Sequence, residues 1–233
     1  MNIAIHQPDY FPYLPSFYLI YLVSDYIFLD DAQYTTSGMN NYNRIKTPQG
    51  ECRIKIPVEY HLGDAINEVR TKDELGWRYK HVKIIEMNYK KASYFNDYFP
   101  LLRDLICSDY TSLAERNIDI CVQIANRFGI GCKFHKSSEL EIYSKKEERV
   151  IEICQFFNKK TYISGHGSRA YINKDNFDSA GLKLEYNCYQ AFEYPQQWGC
   201  FLPNLSIIDY ILNCGFDWDR VMKGQMEYTN NHK

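Results

Sequence analysis

The stretch Asn2-Ile3-Ala4-Ile5-His6-Gln7-Pro8-Asp9-Tyr10-Phe11-Pro12-Tyr13-Leu14-Pro15-Ser16-Phe17 decides the fold. Asn2 to Ile5 is an apolar run long enough for one buried strand, and it breaks into His6, Gln7 and prolines set among aromatic residues. Proline lacks a backbone donor and fixes φ, so the strand stops there and a stiff, non-helical turn follows. Phe17 to Val23 is apolar throughout and reads as a helix, and Asp25 to Leu29 reads as a second strand. The unit is strand, polar loop, helix, strand. In a parallel α/β sheet the loop after the first strand lies at the strands' carboxyl ends, where ligands bind. His6, Gln7 and Asp9 then sit at that mouth; the alternative is a loop that only covers the sheet.

Strands and helices go on alternating to the C-terminus. Cys132 to His135, Lys159 to Ile163 and Leu182 to Cys188 read as strands, and Leu113 to Phe128 as an amphipathic helix stopped by Gly129. Ser144 is expected to cap a further helix with Glu147 and Glu148 in its first turn. Ser206 to Asn213 forms a short helix closed by Gly215. The pattern implies a three-layer, mostly parallel α/β sheet of Rossmann-like type. It fits a single domain over residues 1–227, with a hairpin and helical insertion at about 41–110 and a disordered tail at 228–233.

Within the insertion, Asn41 to Lys46, the turn Thr47-Pro48-Gln49-Gly50, and Glu51 to Val58 make a hairpin. Period-two spacing sets Arg44 and Lys46 on one face of it, a basic surface able to hold a pyrophosphate or carboxylate. Glu59 to Glu74 lacks periodicity and reads as a loop that is mobile without ligand. Trp77 to Lys91 is a helix whose apolar stripe carries Trp77, His81, Ile84, Ile85 and Asn88. His81 is either a hydrogen-bonded core residue or a site residue. Asn117, on the stripe of the Leu113 helix, either pins a neighbouring backbone or faces the site.

Two further loops follow strand ends. Asp30-Asp31-Ala32-Gln33-Tyr34 offers carboxylates to magnesium or to sugar hydroxyls, or is an ordinary solvated turn. Ser164-Gly165-His166-Gly167-Ser168-Arg169 has glycines that permit close backbone approach, and donors suited to an anion, although it matches no P-loop. His6, Gln7 and Ser164 to Arg169 are expected to line one cleft at the strands' carboxyl edge.

Composition excludes several classes. A net charge of −2 argues against a partner bound by phosphate neutralisation along a nucleic acid. No segment has the apolar length of a membrane span, and the N-terminus does not read as a secretory signal. The eight cysteines are scattered without a CxxC pair, which suits reduced thiols in a cytoplasmic protein and makes a zinc site unexpected. The 21 tyrosines combine flat apolar faces with hydroxyls, as binding of sugars and bases requires.

The opening IHQPDYFPYLPSFYLI resembles the signature of the WbqC-like family, linked to bacterial O-antigen and other surface-polysaccharide biosynthesis. The likeness continues through LDDAQY, NYNRIKTPQG, WRYKH, YISGHGSRAY and LSIIDYILNCG, and so covers nearly the whole chain. It implies transfer of glycine or a similar acyl group to the amine of a nucleotide-linked amino sugar. His6 or His81 would then act as base, with Gln7, Asp9, Tyr10, Asp30, Gln33 and Asn117 orienting the substrate. Arg44, Lys46, Ser164, Gly165, Ser168 and Arg169 would clamp phosphates.

The architecture is also similar to that of pantothenate synthetase and its nucleotidyltransferase relatives, which implies ATP with Mg2+. Their paired histidines would fall near Tyr13 and Ser16, neither of which is histidine, so the cofactor stays open. The other readings are a nucleotidylyltransferase and a non-catalytic protein that binds a sugar nucleotide.

Overall fold

The computed structural model describes residues 2–165, 167 and 172–231, with side chains to residue 227. Among them run β1 (Asn2–His6), α1 (Leu14–Tyr21), β2 (Asp25–Phe28), β3 (Tyr42–Thr47), β4 (Gly50–Lys55), β5 (Val58–Glu59) and β6 (Arg70–Thr71). There follow α2 (Trp77–Tyr89), α3 (Phe95–Cys107), α4 (Leu113–Arg127), β7 (Lys133–Lys136), α5 (Lys146–Phe156) and β8 (Thr161–Ser164). The last elements are α6 (Lys174–Ser179), β9 (Lys183–Tyr186), α7 (Ile207–Cys214) and α8 (Trp218–Asn231).

The central sheet has the order β7-β2-β1-β8-β9, and every pairing in it is parallel. Chain order runs outward from β1 to one side through β2 and β7, then to the other side through β8 and β9. The strand order therefore reverses between β1 and β8. Alternation along each strand separates two cores. Ala4, Tyr26, Phe28 and Ile163 join a large core with α1, α4 and α7, which also takes in Ile45 and Ile54 of the hairpin. Ile3, Ile5, Ile27, Tyr162 and Leu184 face a smaller core with Ile153 of α5 and Phe177 of α6. The result is a three-layer, Rossmann-like α/β fold with small antiparallel ribbons β3–β4 and β5–β6 beside the parallel sheet.

Local details depart from the sequence reading for identifiable reasons. α1 begins at Leu14 rather than Phe17, because Pro15 in the first turn suits a helix start. The buried row on α2 is Trp77, His81, Ile85 and Tyr89, a strict four-residue repeat, so Ile84 and Asn88 flank it. Residues 59–74, expected as a mobile loop, carry part of the β5–β6 ribbon and bury Ile66 and Val69 completely. Lys145, not Ser144, precedes α5; the Ser144 hydroxyl instead donates to Glu152 at 2.6 Å. α8 runs on to Asn231, past Tyr228, where the tail was expected to begin.

Candidate functional site

The carboxyl end of β1 is held by a cage of amides. Pro8, Pro12 and Pro15 leave the loop short of donors, and its carbonyls are met from distant elements instead. Asn117 of α4 donates to Pro8 O at 3.0 Å and to Asn40 O at 2.7 Å, and Asn40 donates to Pro8 O at 3.1 Å. Asn43 of β3 donates to Tyr10 O at 3.0 Å and to Phe11 O at 2.8 Å, while the Ser206 hydroxyl reaches Phe11 O at 3.0 Å. Phe11 has φ 41°, a left-handed conformation unfavourable for a bulky residue, and these bonds hold it there. Asn117 thus pins backbone rather than facing the site.

His6 stands at the edge of this cage, a third of its side chain exposed. Its Nδ1 lies 2.9 Å from Gln7 O. A carbonyl only accepts, so Nδ1 carries a proton, and in the neutral ring Nε2 then holds the lone pair. Asp9 Oδ2 is 3.8 Å from the same Nδ1. Burial pushes the Asp9 carboxyl up from its usual range, and a positive charge on His6, present only when its ring is protonated, opposes that rise.

His6 borders two cavities at the strands' carboxyl edge. The more polar one, about 630 Å³, is lined also by Tyr13, Ser16, Arg44, Gly165, Gly167, Asn187, Tyr189, Gln190 and Asn204, with Pro15, Leu19, Met39 and Ala191 supplying apolar wall between them. Asn187 is braced there, donating to Pro15 O at 2.8 Å and accepting from Tyr189 N at 3.0 Å. Asn204 has φ 56°, which asparagine tolerates better than most residues. The other cavity, about 650 Å³, is largely apolar and is lined also by Ile5, Gln7, Leu29, Lys146, Glu147, Val150, Tyr162 and Ile172.

The cleft expected from the two loops therefore brings His6 together with Gly165 and Gly167 in the polar cavity, while Gln7 lines the apolar one. Ser164 ends β8, buried, with its hydroxyl donating to the Tyr162 hydroxyl at 3.1 Å. Ser168 and Arg169 lie outside the described residues.

Several expected site residues are built into the core. His81 is buried; Nε2 meets Lys55 O at 3.2 Å and Nδ1 meets the Tyr10 hydroxyl at 3.1 Å, so both ring nitrogens are occupied within the protein. Burial lowers its pKa to about 4, against a smaller opposing effect of the Lys55 carbonyl. Tyr10 is fully buried, and burial raises its phenol far above the usual range. Neither residue lines the two cavities that His6 borders; His81 instead edges a separate one of about 250 Å³ with Lys55, Trp77 and Lys80.

Lys46 does not share a basic surface with Arg44. The loop following β9 folds over that face of the hairpin, leaving Lys46 only 1% exposed, with Nζ donating to Gln196 Oε1 at 3.0 Å and to Cys200 O. Asp209 lies in the same cluster, accepting from Tyr89 at 2.7 Å and from Tyr194 and Gln196 at 2.9 Å each. Burial raises the Asp209 carboxyl; those bonds and the Lys46 charge oppose it. Arg44, by contrast, faces the polar cavity while bonded to Glu51 at 3.1 Å.

The Asp30–Gln33 turn is likewise committed elsewhere. Asp30 accepts from Ser138 N at 3.0 Å and from the Ser138 hydroxyl at 2.7 Å, and Asp31 pairs with Arg149 and the Ser137 hydroxyl. Gln33 is exposed and bridges to Ala65. With both carboxylates holding the chain after β7, and Tyr13 and Ser16 where paired histidines would stand, these residues do not fit magnesium–ATP binding of the pantothenate-synthetase kind. All eight cysteines are free thiols. Among the described residues no helix is long and apolar enough to cross a membrane.

Sequence reasoning missed Asn43, Ser16, Asn187, Gln190 and Asn204. Asn43 and Ser16 lie inside quoted motifs, and paired asparagines flanking Tyr42 were a usable signal. The other three follow β9 in an aromatic loop whose return to β1 no local pattern announces.

Fold and site together define a three-layer α/β protein with a histidine-bearing crevice at the point where strand order reverses, the usual ligand position in open parallel sheets. The chain belongs to the WbqC-like protein family, whose model matches residues 7–220. It is 32% identical over 218 residues to the uncharacterized protein Rv1507c of Mycobacterium tuberculosis, covering 92% of this chain and 94% of that one. No solved structure matches it.

Proposed function

We propose that this chain is an enzyme of surface-polysaccharide biosynthesis that transfers glycine or another acyl group to the amine of a nucleotide-linked amino sugar. The observation that carries this reading is His6 beside a polar cavity of about 630 Å³ furnished with hydroxyl and amide groups. Sugar hydroxyls both donate and accept, and Ser16, Asn187, Gln190 and Asn204 offer both roles there. Tyr13 and Tyr189 supply flat faces for a ring, and Arg44 a fixed positive charge for a phosphate. The polysaccharide context is part of the proposal and rests on the role that the resemblance to WbqC-like proteins implies.

The chemistry follows from the tautomer of His6. The sugar amine attacks an activated acyl carbonyl; the N–C bond forms and the leaving group departs with its bonding pair. The proton lost by nitrogen passes to His6 Nε2, whose lone pair is available because Nδ1–H is spent on Gln7 O. Asp9, 3.8 Å from Nδ1, steadies the imidazolium so formed. Incubation with an amino-sugar nucleotide and either a glycyl thioester, as a donor already activated, or glycine with ATP, followed by mass spectrometry, tests the reading. The expected product is heavier than the sugar nucleotide by one glycyl residue. Pyrophosphate exchange without amide would instead make the protein a nucleotidylyltransferase, and saturable binding without turnover a non-catalytic binding protein.

A further inference from the structure

We infer that the apolar cavity on the other side of His6 holds the heterocyclic base of the substrate nucleotide, an inference that rests on the amino-sugar reading above. The two cavities share His6, so a single ligand lying across the end of β1 reaches both. They lie where strand order reverses between β1 and β8, the place at which an open parallel sheet admits an extended ligand across its edge.

The walls suit a flat ring. Ile5, Leu29, Val150 and Ile172 present aliphatic surface, and Tyr162 is fixed by stacking on Phe177 at 5.6 Å and 11°. The same cavity carries polar groups that an acyl chain has no use for. Gln7 brings an amide donor and acceptor, a pattern that matches the edge of a base. Lys146 and Glu147 stand at the start of α5, and Lys146 has φ 54°, a strained backbone for a side chain of its size. A base among the aliphatic groups leaves its ribose and phosphates to pass His6 towards Arg44, and the amino sugar to occupy the polar cavity.

The test uses calorimetry with the 5′-monophosphates of adenosine, guanosine, cytidine and uridine, and with octanoate as the acyl probe. Val150 on α5 and Ile172 in the segment before α6 are both half-buried cavity residues, so Val150→Trp and Ile172→Trp fill the cavity from two parts of the chain, with melting curves showing which variants fold. At least one nucleotide is expected to bind the wild type and to lose about tenfold or more affinity in a folded filling variant. Gln7→Ala is expected to weaken the preferred nucleotide about fivefold and to narrow the spread among the four bases.

Octanoate bound in the filled-cavity-sensitive manner while no nucleotide binds would overturn the inference. So would nucleotide binding indifferent to both tryptophans. In that last case, loss of the nucleotide-linked amino sugar on Arg44→Ala would leave the amino-sugar reading standing and remove only the base from this cavity.

Discussion

The two cavities at the end of β1 differ in the chemistry of their walls although they share a histidine. The polar one is built by elements that converge from far apart in sequence: the loop after β1, the β3–β4 hairpin, and the segments following β8 and β9. The apolar one is built by the smaller core's own strands and α5, continuing an aliphatic face that already exists. Side chains alternate across a strand, so a strand that ends between two layers offers different chemistry on its two sides. A reaction centre at such an end can have apolar binding on one side and polar positioning on the other. His6 is the residue at the seam.

The largest expected effect separates that seam from the core. His6→Asn should lower turnover by about 10²–10⁴-fold, while the melting temperature moves little, because the side chain is partly exposed and asparagine keeps a polar contact. Reduced stability with full turnover per folded molecule would make His6 a structural residue.

Lys46 and Arg44, two residues apart on β3, give the sharpest contrast between core and cavity. Lys46→Met removes the buried cation facing Asp209, orphans Cys200 O and leaves Gln196 Oε1 with Leu202 N as its remaining donor. It should cost about 3–4 kcal/mol in urea unfolding, with binding by the folded fraction unchanged. A wild-type unfolding midpoint together with lost binding would return Lys46 to the clamp.

His81 makes a pH prediction. Its pKa falls from 6.5 to about 4 on folding because burial disfavours the imidazolium. The unfolded chain then binds the extra proton, so stability from this group is intact above pH 6.5 and is lost as pH falls towards 4. The loss should reach up to about 3 kcal/mol, and His81→Gln should flatten that slope in melting curves measured across the range. An unchanged slope would contradict the buried neutral histidine.

Arg44→Ala should have the smallest effect. Its bond to Glu51 is exposed and contributes little to folding. Affinity for a phosphorylated ligand should fall by about 1.5–3 kcal/mol in calorimetry, and unchanged affinity would reject it as the phosphate contact.

How far the sequence foretold this arrangement depended on whether the deciding contacts were local. The strand-to-proline break at His6-Gln7-Pro8 and the alternation of strands with helices are local signals, and they led to the parallel sheet and its carboxyl-edge mouth. Charge was the misleading signal. Arg44 and Lys46 looked equivalent because spacing shows which face a residue takes, but not whether a distant segment such as Gln196–Cys200 will cover that face. His81 stayed open between core and site for the same reason: its burial depends on Tyr10 and on Lys55 O, neither adjacent in sequence. Asn117 was legible as a buried amide needing partners, and its partners proved to be Pro8 O and Asn40 O.

The most direct test of the central claim is a crystal structure with a nucleotide-linked amino sugar bound. The account predicts the sugar ring in the polar cavity, among Ser16, Asn187 and Asn204, with its amine about 2.6–3.2 Å from His6 Nε2. An amine directed away from His6, or a sugar ring seated among Ile5, Leu29 and Val150, would contradict it.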